Sequence, residues 1–359
     1  MSRVYKAAQT NDENFFRFDN GADTYLSYAH EKSGDSVLHI ASRYGHLNLV
    51  SLFLEKGVSP EIVNLDGKRP LHEAAQNGQI DIVKYLLDYG AIVDCLKRAD
   101  WTPLMLACTK NGPEVIRALL QKGADLALRN KDGWNSFHIA AREGSVEILQ
   151  LLLHHDDQLW NTVSKNGRTP LHTAALHGCT DVVRFLVGSC DYPCDVVDSC
   201  GTTPLMDALR AGHVDTAQVL VDLHKADVQK EDKLGRQPVH LVSEAGELEA
   251  LDFLLDTFHL SVDTRTTSTH CTPLHVAAKE GQDAIVGHLL RRGADVHLLD
   301  TSLRSALHIA SGGQHAGCVE LLLKHGAGDS QDKHGQTARH MARKDGVKQV
   351  FRKYLDHIT

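Results

Sequence analysis

The chain has 359 residues, of which 42% are hydrophobic and 23% charged, and its formal net charge is −8. This composition is typical of a soluble protein, and no stretch approaches the roughly 18 apolar residues that a membrane-spanning helix needs. The acidic balance argues against a sequence-independent grip on nucleic acid, which needs a strongly basic face, although it leaves room for a local basic patch.

The eight cysteines are scattered along the chain and lack the paired spacings of a zinc site or a secreted disulfide framework. The closest group consists of Cys190, Cys194 and Cys200, whose spacing fits no common metal pattern. We therefore predict no metal ion and no cofactor. Since disulfide frameworks mark oxidising compartments, we expect a cytoplasmic or nuclear location.

A short pattern of the form Thr-Pro-Leu-His recurs along the chain about every 33 residues. It is complete at residues 169–172 and 272–275, and degraded copies fill the gaps. Its last position is occupied, in chain order, by His39, His72, Met105, His138, His172, Met206, His240, His275, His308 and His340. Successive members of this series are 32 to 35 residues apart. A period this steady predicts a solenoid of stacked repeats, which needs no internal domain boundary.

The clearest copy, at residues 165–187, indicates how one repeat folds. Asn166-Gly167 predicts a turn, and Thr169-Pro170 predicts a helix start, because the donor that proline lacks would be unpaired in the first helical turn anyway. Gly178 predicts the end of that helix, and an apolar stripe after it predicts a second helix. Paired alanines such as Ala174-Ala175 are small enough to let neighbouring helices approach closely.

The predicted fold class is all-α: a solenoid of about ten helix-turn-helix repeats with short hairpin tips, capped at both ends. Since a repeat of about 33 residues cannot bury its apolar stripe alone, stacking must supply the core. Residues 1–33 are predicted to form a divergent N-terminal cap, and residues 356–359 a tail. The repeats are predicted near residues 34–66, 67–99, 100–132, 133–166, 167–200, 201–234, 235–269, 270–302, 303–334 and 335–355, the last being the C-terminal cap.

The histidines of the repeat pattern invite a metal-binding or catalytic interpretation. Eight of the ten positions carry His, and Met105 and Met206 occupy the other two. A metal-binding or catalytic role would be lost at each repeat where methionine replaces histidine. A buried imidazole that joins adjacent turns by hydrogen bonds has a structural role, which single repeats can do without. We therefore predict a structural role for these side chains.

The repeat resembles the ankyrin repeat from Gly34 to about Leu355, through its Asp-Gly turn, Thr-Pro-Leu-His segment, paired alanine, glycine and leucine pair. Departures are Asp100-Trp101 in place of the turn glycine, Leu241-Val242 in place of the small pair, and a lengthened stretch at 261–271. The resemblance implies a module without catalytic machinery that binds a partner protein through its hairpin tips and first helices. We expect it to be a monomer.

Between the third and fifth repeats, the tips carry an unusual set of aromatic and basic residues. Trp101 and Trp134 occupy the same repeat position, and so do Arg98, Lys131 and Lys165. Exposed tryptophan and arginine dominate interface energetics, so we predict a partner-binding surface here. Its predicted members are Trp101, Trp134, Arg98, Lys110, Arg142 and Arg168. The alternative is that the tryptophans pack onto neighbouring turns and the charges are merely solvated.

Four segments sharpen the resemblance within the family, at residues 100–105, 131–138, 168–179 and 200–208. They resemble an ankyrin-repeat co-regulator of alanyl-tRNA synthetase. That resemblance implies binding to the catalytic domain of the synthetase and capture of misactivated serine on lysine side chains. From the charge and hydropathy of the chain we expect no direct contact with nucleic acid or membrane. The implied serine acceptors are Lys131, Lys97 and Lys165, Lys97 standing in for a tip arginine whose guanidinium is a poor nucleophile.

Two other functions stay open. The chain could be a generic ankyrin scaffold or adaptor for an unrelated protein. A third hypothesis, an enzyme in its own right, would need a dense group of reactive side chains, and the only such run is His154-His155-Asp156-Asp157. We interpret that run as a solvated helix terminus, and we predict no catalytic residues.

Overall fold

The computed structural model describes residues 3–17, 24–110 and 112–355. Their helices group into two compact units, Met1–Pro170 and Leu171–Thr359, here called the N-terminal and the C-terminal unit. The predicted tail at 356–359, and residues 1–2 and 18–23 of the predicted N-terminal cap, lie outside the described residues. Regular secondary structure in the described ranges is helical, and isolated β-bridges join Lys97 to Trp101 and Gln331 to Thr337.

The helices of the N-terminal unit alternate with hairpin loops. They are α1 (Arg3–Gln9), α2 (Glu13–Arg17), α3 (Val37–Tyr44), α4 (Leu47–Glu55), α5 (Pro70–Gln76), α6 (Ile80–Asp88), α7 (Pro103–Cys108), α8 (Pro113–Gln121), α9 (Ser136–Arg142) and α10 (Val146–His155). Single 3₁₀ turns lie at Thr24–Ser27 and Arg98–Asp100.

The C-terminal unit continues the same alternation, with its first helix beginning at Pro170, the last residue of the N-terminal unit. Its helices are α11 (Pro170–Leu176), α12 (Thr180–Ser189), α13 (Pro204–Arg210), α14 (Val214–His224), α15 (Pro238–Ala245), α16 (Leu248–Asp252), α17 (Pro273–Glu280), α18 (Asp283–Arg291), α19 (Ala306–Gly313), α20 (Ala316–Lys324), α21 (Ala338–Met341) and α22 (Asp345–Leu355). A π-helical turn at Phe253–Thr257 follows α16.

The first helix of a repeat begins where the sequence predicts it. Prolines at the first helical position open α5, α7, α11, α13, α15 and α17. Just before them, Thr102, Thr203 and Thr272 accept a hydrogen bond from the backbone N–H three residues on, which satisfies an otherwise unpaired donor. Cap and proline together set the helix start.

Stacking of equivalent helices builds the core of each unit. In the N-terminal unit, α3, α5, α7 and α9 pack in series, and so do α4, α6, α8 and α10. In the C-terminal unit, α13, α15, α17, α19 and α21 form the matching series. The alanine pairs Ala74-Ala75 and Ala140-Ala141 are at most 1% exposed, because the backbones of adjacent first helices approach closely there. The predicted all-α ankyrin-repeat class is confirmed.

The repeat histidines join adjacent hairpins, as predicted. His39 Nε2 lies 2.8 Å from the carbonyl oxygen of Lys68, and His138 Nε2 lies 3.1 Å from that of Arg168. Equivalent bonds of 2.9 to 3.2 Å are made by His72, His172, His240 and His275. Since the backbone N–H of Ser36 points at His39 Nδ1 at 3.2 Å, Nδ1 accepts and Nε2 donates, which is the neutral imidazole.

Burial keeps these rings neutral. It lowers the pKa of both His72 and His138 to about 4, against partial compensation from the carbonyl that each ring binds. Where Met206 replaces His, its Sδ lies 3.4 Å from the backbone nitrogen of Thr203 and takes the acceptor position of Nδ1. Methionine therefore keeps one of the two histidine contacts.

Backbone hydrogen bonds connect successive hairpin tips. The N–H of Arg98 donates to Asp66, that of Lys131 to Ala99, and that of Lys165 to Asp132, at 2.9 to 3.1 Å. These matching bonds place Arg98, Lys131 and Lys165 at equivalent positions of three successive tips, as the repeat spacing predicts.

Successive tips approach closely at one hairpin position, where the backbone takes a left-handed conformation. Gly133 has φ +81°, and a Cβ there would lie 2.7 Å from the backbone nitrogen of Lys165. In the third hairpin Asp100 occupies the equivalent place with φ 60°, and Ala99 beside it has φ 64°. The third hairpin thus reaches the same turn through left-handed non-glycine residues.

Candidate partner-binding site

A cavity of about 380 Å³ opens between the hairpins of the third, fourth and fifth repeats, all in the N-terminal unit. We call it the tryptophan cavity. It is lined by Trp101, Asn130, Lys131, Asp132, Trp134, Arg142, Ser164, Lys165, Asn166 and Arg168. Its volume falls within the range of small-ligand and side-chain binding clefts.

Trp134 is held at the cavity by its own hairpin. Asn130 Oδ1 accepts hydrogen bonds from the backbone N–H groups of Asp132 at 3.0 Å and Trp134 at 2.9 Å, which closes the turn. The indole lies nearly parallel to the buried ring of His138, with centroids 6.1 Å apart and an angle of 18°. Trp134 is therefore half-buried, with one face against His138.

Trp101 is covered on one side by a lysine. Lys97 Nζ lies 5.8 Å from the centroid of the indole and 3.4 Å from Asp66 Oδ2. The Trp101 carbonyl accepts hydrogen bonds from the N–H of Lys97 at 3.0 Å and from His72 Nε2 at 3.1 Å. Both indoles thus pack partly on their own repeats and still line the same cavity.

The lysines of the cavity differ from Lys97. Lys131 and Lys165 are exposed, and within the described part of the chain neither Nζ makes a hydrogen bond or an ion pair. The Lys97 side chain is only 14% exposed, because Asp66 and the Trp101 ring hold it. Two lysine amines are therefore available at the tryptophan cavity.

Both arginines of the cavity make hydrogen bonds, Arg142 through its side chain and Arg168 through its backbone. Arg142, at the end of α9, donates through Nε to Glu143 Oε1 at 2.9 Å. Arg168 closes the next hairpin: its N–H donates to Ser164 Oγ at 3.1 Å, and its carbonyl accepts from His138. With Lys131 and Lys165, they set four cationic side chains against the single lining carboxylate of Asp132. The cavity is thus basic in a chain of net charge −8.

Three of the sequence-predicted residues lie outside this cavity. Lys97 packs on Trp101, as described, and does not line the cavity. Arg98 lines a different cavity, nearer the N terminus. Lys110 is exposed after α7 and lines neither of the two. The structure brings together Trp101, Trp134, Arg142, Arg168, Lys131 and Lys165.

The second cavity contains a charge network that sequence reasoning missed. Arg43 donates through Nη2 to Asp35 Oδ2 at 2.7 Å and through Nε to Glu73 Oε2 at 2.8 Å. Lys68 Nζ lies 3.1 Å from Glu73 Oε1, and Asn64 Nδ2 donates to Asp35 Oδ1 at 2.6 Å. We call these five residues the Arg43 network. Both carboxylate side chains are only 2% exposed.

Burial by itself would raise the pKa of both carboxyls of the Arg43 network, but neighbouring hydrogen-bond donors and positive charges lower the pKa by more. Hydrogen bonds from Asn64 and Arg43 bring the pKa of Asp35 below its usual value, and Arg43 and Lys68 do the same for Glu73. Both carboxyls are therefore charged at neutral pH and fully paired. The sequence contained a signal for this network, since Asp35, Arg43 and Glu73 place charged side chains at repeat positions that face neighbouring repeats.

A second missed feature is the turn-closing side chain of each hairpin. Asn130 stands at a position where the other hairpins carry Asn64, Ser164, Asp198, Asp232, Asp300 and Asp332, whose side chains accept from the turn backbone. Lys97 occupies this position in the third repeat. Aligning the repeats one residue at a time would have identified Lys97 as the exception and explained why its side chain folds back.

The remaining candidate groups carry no site in the described residues. No group of three or more His, Cys, Asp or Glu side chains there could hold a metal ion. Burial raises the pKa of Cys190 to about 11, and Cys194 donates to the carbonyl of His224. The four residues at 154–157 are exposed at the end of α10. No helix in the described ranges is long and apolar enough to cross a membrane.

Tandem helix pairs joined by hydrogen-bonded hairpins define a repeat protein of the protein-binding class. A sequence model of the family described as ankyrin repeats (3 copies) matches residues 5–98, 91–163, 157–232, 223–300 and 285–357. Since these matches span nearly the whole chain, it belongs to the ankyrin-repeat family.

Similar proteins agree with that assignment. Protein fem-1 homolog C of Xenopus laevis is 38% identical over 81 residues, which are 22% of this chain and 13% of that protein. Transient receptor potential cation channel subfamily A member 1 of Homo sapiens is 34% identical over 102 residues, 28% of this chain and 9% of that protein. The chain therefore spans a small part of these curated relatives.

Among solved structures, the ankyrin repeat domain of Bcl-3, a member of the IkappaB protein family, superposes with a TM-score of 0.50 and 26% identity. The superposition covers 62% of this chain and 99% of the Bcl-3 chain. These neighbours support an ankyrin-repeat, protein-binding module.

Proposed function

We propose that this ankyrin module is a co-regulator of alanyl-tRNA synthetase. It binds the catalytic domain of the synthetase and captures misactivated serine on lysine side chains, which prevents mischarging of tRNA for alanine and supports translational fidelity. The proposal rests on the resemblance of residues 100–105, 131–138, 168–179 and 200–208 to ankyrin repeat domain-containing protein 16. We place this activity in the cytoplasm or nucleus, with the chain acting as a monomer.

One observation in the structure supports it most. The amines of Lys131 and Lys165 are unpaired within the described residues, and both side chains line a cavity that also contains two half-buried indoles. Indoles and arginines supply binding energy at protein interfaces, and lysine amines supply nucleophiles. We therefore assign partner binding to Trp101 and Trp134 and serine capture to the two lysines.

The capture step is an acyl transfer. The Nζ lone pair of a deprotonated lysine attacks the carbonyl carbon of seryl adenylate, and the bond from that carbon to the phosphate oxygen breaks. AMP leaves with the electron pair, the nitrogen loses a proton to water, and an amide joins serine to the lysine. Because most lysine amines are protonated at neutral pH, proximity must supply most of the acceleration. Lys97, held by Asp66 and Trp101, is the weakest of the three acceptor candidates.

Mass spectrometry after incubation with the synthetase, ATP and serine tests the assignment. We expect seryl-lysine at Lys131 and Lys165, and its loss in Lys131→Arg with Lys165→Arg while the complex still forms. Lys84→Arg, at an exposed lysine on α6, is the matched control. Unmodified lysines in a fully formed complex would contradict the capture role.

Partner binding is tested separately by pull-down with the purified synthetase. We expect Trp101→Ala with Trp134→Ala to lose the complex, while Arg98→Ala and Lys110→Ala, outside the cavity, weaken it less. If the unaltered chain forms no complex with the synthetase, the co-regulator proposal is wrong. The remaining candidate is then a generic scaffold or adaptor for an unrelated protein, which the family assignment by itself would support.

A further inference from the structure

We infer that the tryptophan cavity binds a nucleoside monophosphate, with the base on an indole and the phosphate on the cationic side chains. The inference rests on the proposed function only for the source of the ligand, the nucleotide part of an activated amino acid. The binding chemistry is argued from the cavity itself. Its lining combines two aromatic side chains with four cationic ones, and a nucleotide has both a planar base and an anionic phosphate.

The indoles offer flat surfaces of a suitable kind. One face of Trp134 lies against His138, and Lys97 covers Trp101 on one side, yet both rings line the cavity. Each ring is thus fixed from behind by its own repeat and does not need to be ordered on binding. Stacking of a base on a fixed aromatic ring is sequence-tolerant and contributes substantially to nucleotide binding.

The cations suit a phosphate. Lys131 and Lys165 line the cavity with exposed amines, and the side chains of Arg142 and Arg168 line it beside them. Lysine and arginine are the side chains that bind phosphate oxygens by charge-assisted hydrogen bonds. Asp132 is the one lining carboxylate, so the cavity keeps a positive balance.

This arrangement would also bring a reactive acyl group close to the lysine amines. A nucleotide held between the indoles and arginines would bring its phosphate, and an acyl group attached to it, next to Lys131 or Lys165. An acidic peptide segment would satisfy the cations but leave the paired indoles without a planar partner. A nucleoside monophosphate uses both sets of residues.

Isothermal titration of the purified chain with AMP, adenosine and inorganic phosphate tests the inference. We expect AMP to bind at least about tenfold more tightly than either fragment, because it uses both the aromatic and the cationic residues. No heat of binding with AMP, or equal affinity for AMP and phosphate, would overturn it. The second outcome would describe a plain anion site.

Variants assign the effect to the cavity. Trp134→Leu and Arg168→Gln are each expected to weaken AMP binding about tenfold. Trp134 and Arg168 also contact their own repeats, so replacing them can disturb folding. Lys131→Gln with Lys165→Gln is therefore the second test, because these lysines are exposed and their replacement should leave the fold intact. Arg98→Gln, at the equivalent tip position but in the other cavity, is the control and should bind AMP normally. Unchanged affinity in all three cavity variants would overturn the inference.

The two proposals fail in distinguishable ways. If the chain binds AMP but forms no complex with the synthetase, the co-regulator role is wrong and the nucleotide site is supported. If the complex forms seryl-lysine but the chain does not bind AMP, the nucleotide site is wrong and the co-regulator role is supported, because the synthetase alone would then hold the nucleotide.

Discussion

Two cavities of the N-terminal unit lie at equivalent places in the repeat, yet their charges are arranged in opposite ways. In the Arg43 network, one arginine joins two buried carboxylates. In the tryptophan cavity, the equivalent arginine, Arg142, binds Glu143, and the amines of Lys131 and Lys165 have no ionic partner within the described residues.

The difference arises at a few positions on a common backbone. Asp35 and Lys68 stand where the later repeats carry Trp101, Trp134 and Arg168. Asp35 and Lys68 take part in the closed Arg43 network, whereas the two tryptophans and Arg168 line the tryptophan cavity. The ankyrin backbone therefore forms the cavity in both regions. The side chains at these positions decide whether the cavity contains a stabilising charge network or a surface suited to binding.

The largest effect is expected from breaking the closed network. Arg43→Leu leaves Asp35 and Glu73 buried without their shared cation, so the free energy of unfolding should fall by about 3 kcal/mol. Urea unfolding followed by circular dichroism measures it. Arg117→Leu is the control, because Arg117 pairs with exposed Glu114 and should cost less than about 1 kcal/mol. Equal losses in the two variants would contradict the contrast.

Gly133→Ala should disrupt the open cavity instead. The new Cβ would meet the backbone nitrogen of Lys165 at 2.7 Å, in addition to the strain of φ +81°. We expect a loss of about 2 to 3 kcal/mol in the free energy of unfolding. Gly335→Ala shares the left-handed conformation but meets nothing within 4 Å, so it should lose only about 1 kcal/mol. The difference between the two variants measures the close approach of the tips.

The repeat histidines are common to both regions and predict a pH dependence. The pKa of His138 is about 4 in the folded chain, below the usual value, so the unfolded chain binds the proton first as the pH falls. Its contribution to stability is complete above the ordinary histidine value of about 6.5 and declines down to about pH 4, by about 1.4 kcal/mol per pH unit.

His138→Met tests this assignment by removing one titrating ring, as Met105 and Met206 do naturally. At pH 7 the variant should lose about 1 kcal/mol through the missing bond to the Arg168 carbonyl. Between pH 7 and pH 5 the free energy of unfolding of the variant should fall by about 2 kcal/mol less than that of the unaltered chain. An unchanged pH dependence in His138→Met would contradict the assignment.

The smallest effect concerns the third hairpin, where the cavity begins. Asp100 has φ 60° at the position that glycine occupies in most repeats. Asp100→Gly should therefore raise the free energy of unfolding by about 0.5 kcal/mol, since relief of left-handed strain exceeds the added chain entropy. Thermal unfolding measures the gain. Asp132→Gly, at a position without positive φ, should lower stability, and a gain there would contradict the explanation.

Much of the fold could be predicted from local patterns. Proline at the first helical turn, a threonine cap before it and glycine after the helix act within a few residues, so helix starts such as Pro204 and Pro273 follow directly from the sequence. The role of the repeat histidines was also predictable, since a period of about 33 residues places each ring beside the next hairpin.

The candidate site could be predicted only in part. The period made Trp101 equivalent to Trp134, and Arg98 equivalent to Lys131 and Lys165. It did not show that Lys97 folds back onto Trp101 and Asp66, or that Arg98 lines the other cavity. Repeat alignment assigns positions, but the direction of a long side chain depends on the partners that the neighbouring hairpin offers.

The sequence by itself determined the family, the helix pairs and the register of the repeats, because those depend on local backbone preferences and on a period that can be counted. Only the tertiary structure decided which equivalent residues share a cavity and which amines are left unpaired. Those outcomes depend on contacts between residues about 30 positions apart, such as Lys97 with Asp66 and Arg43 with Glu73. Burial and ion pairing across adjacent repeats separated a closed charge network from an open basic cavity.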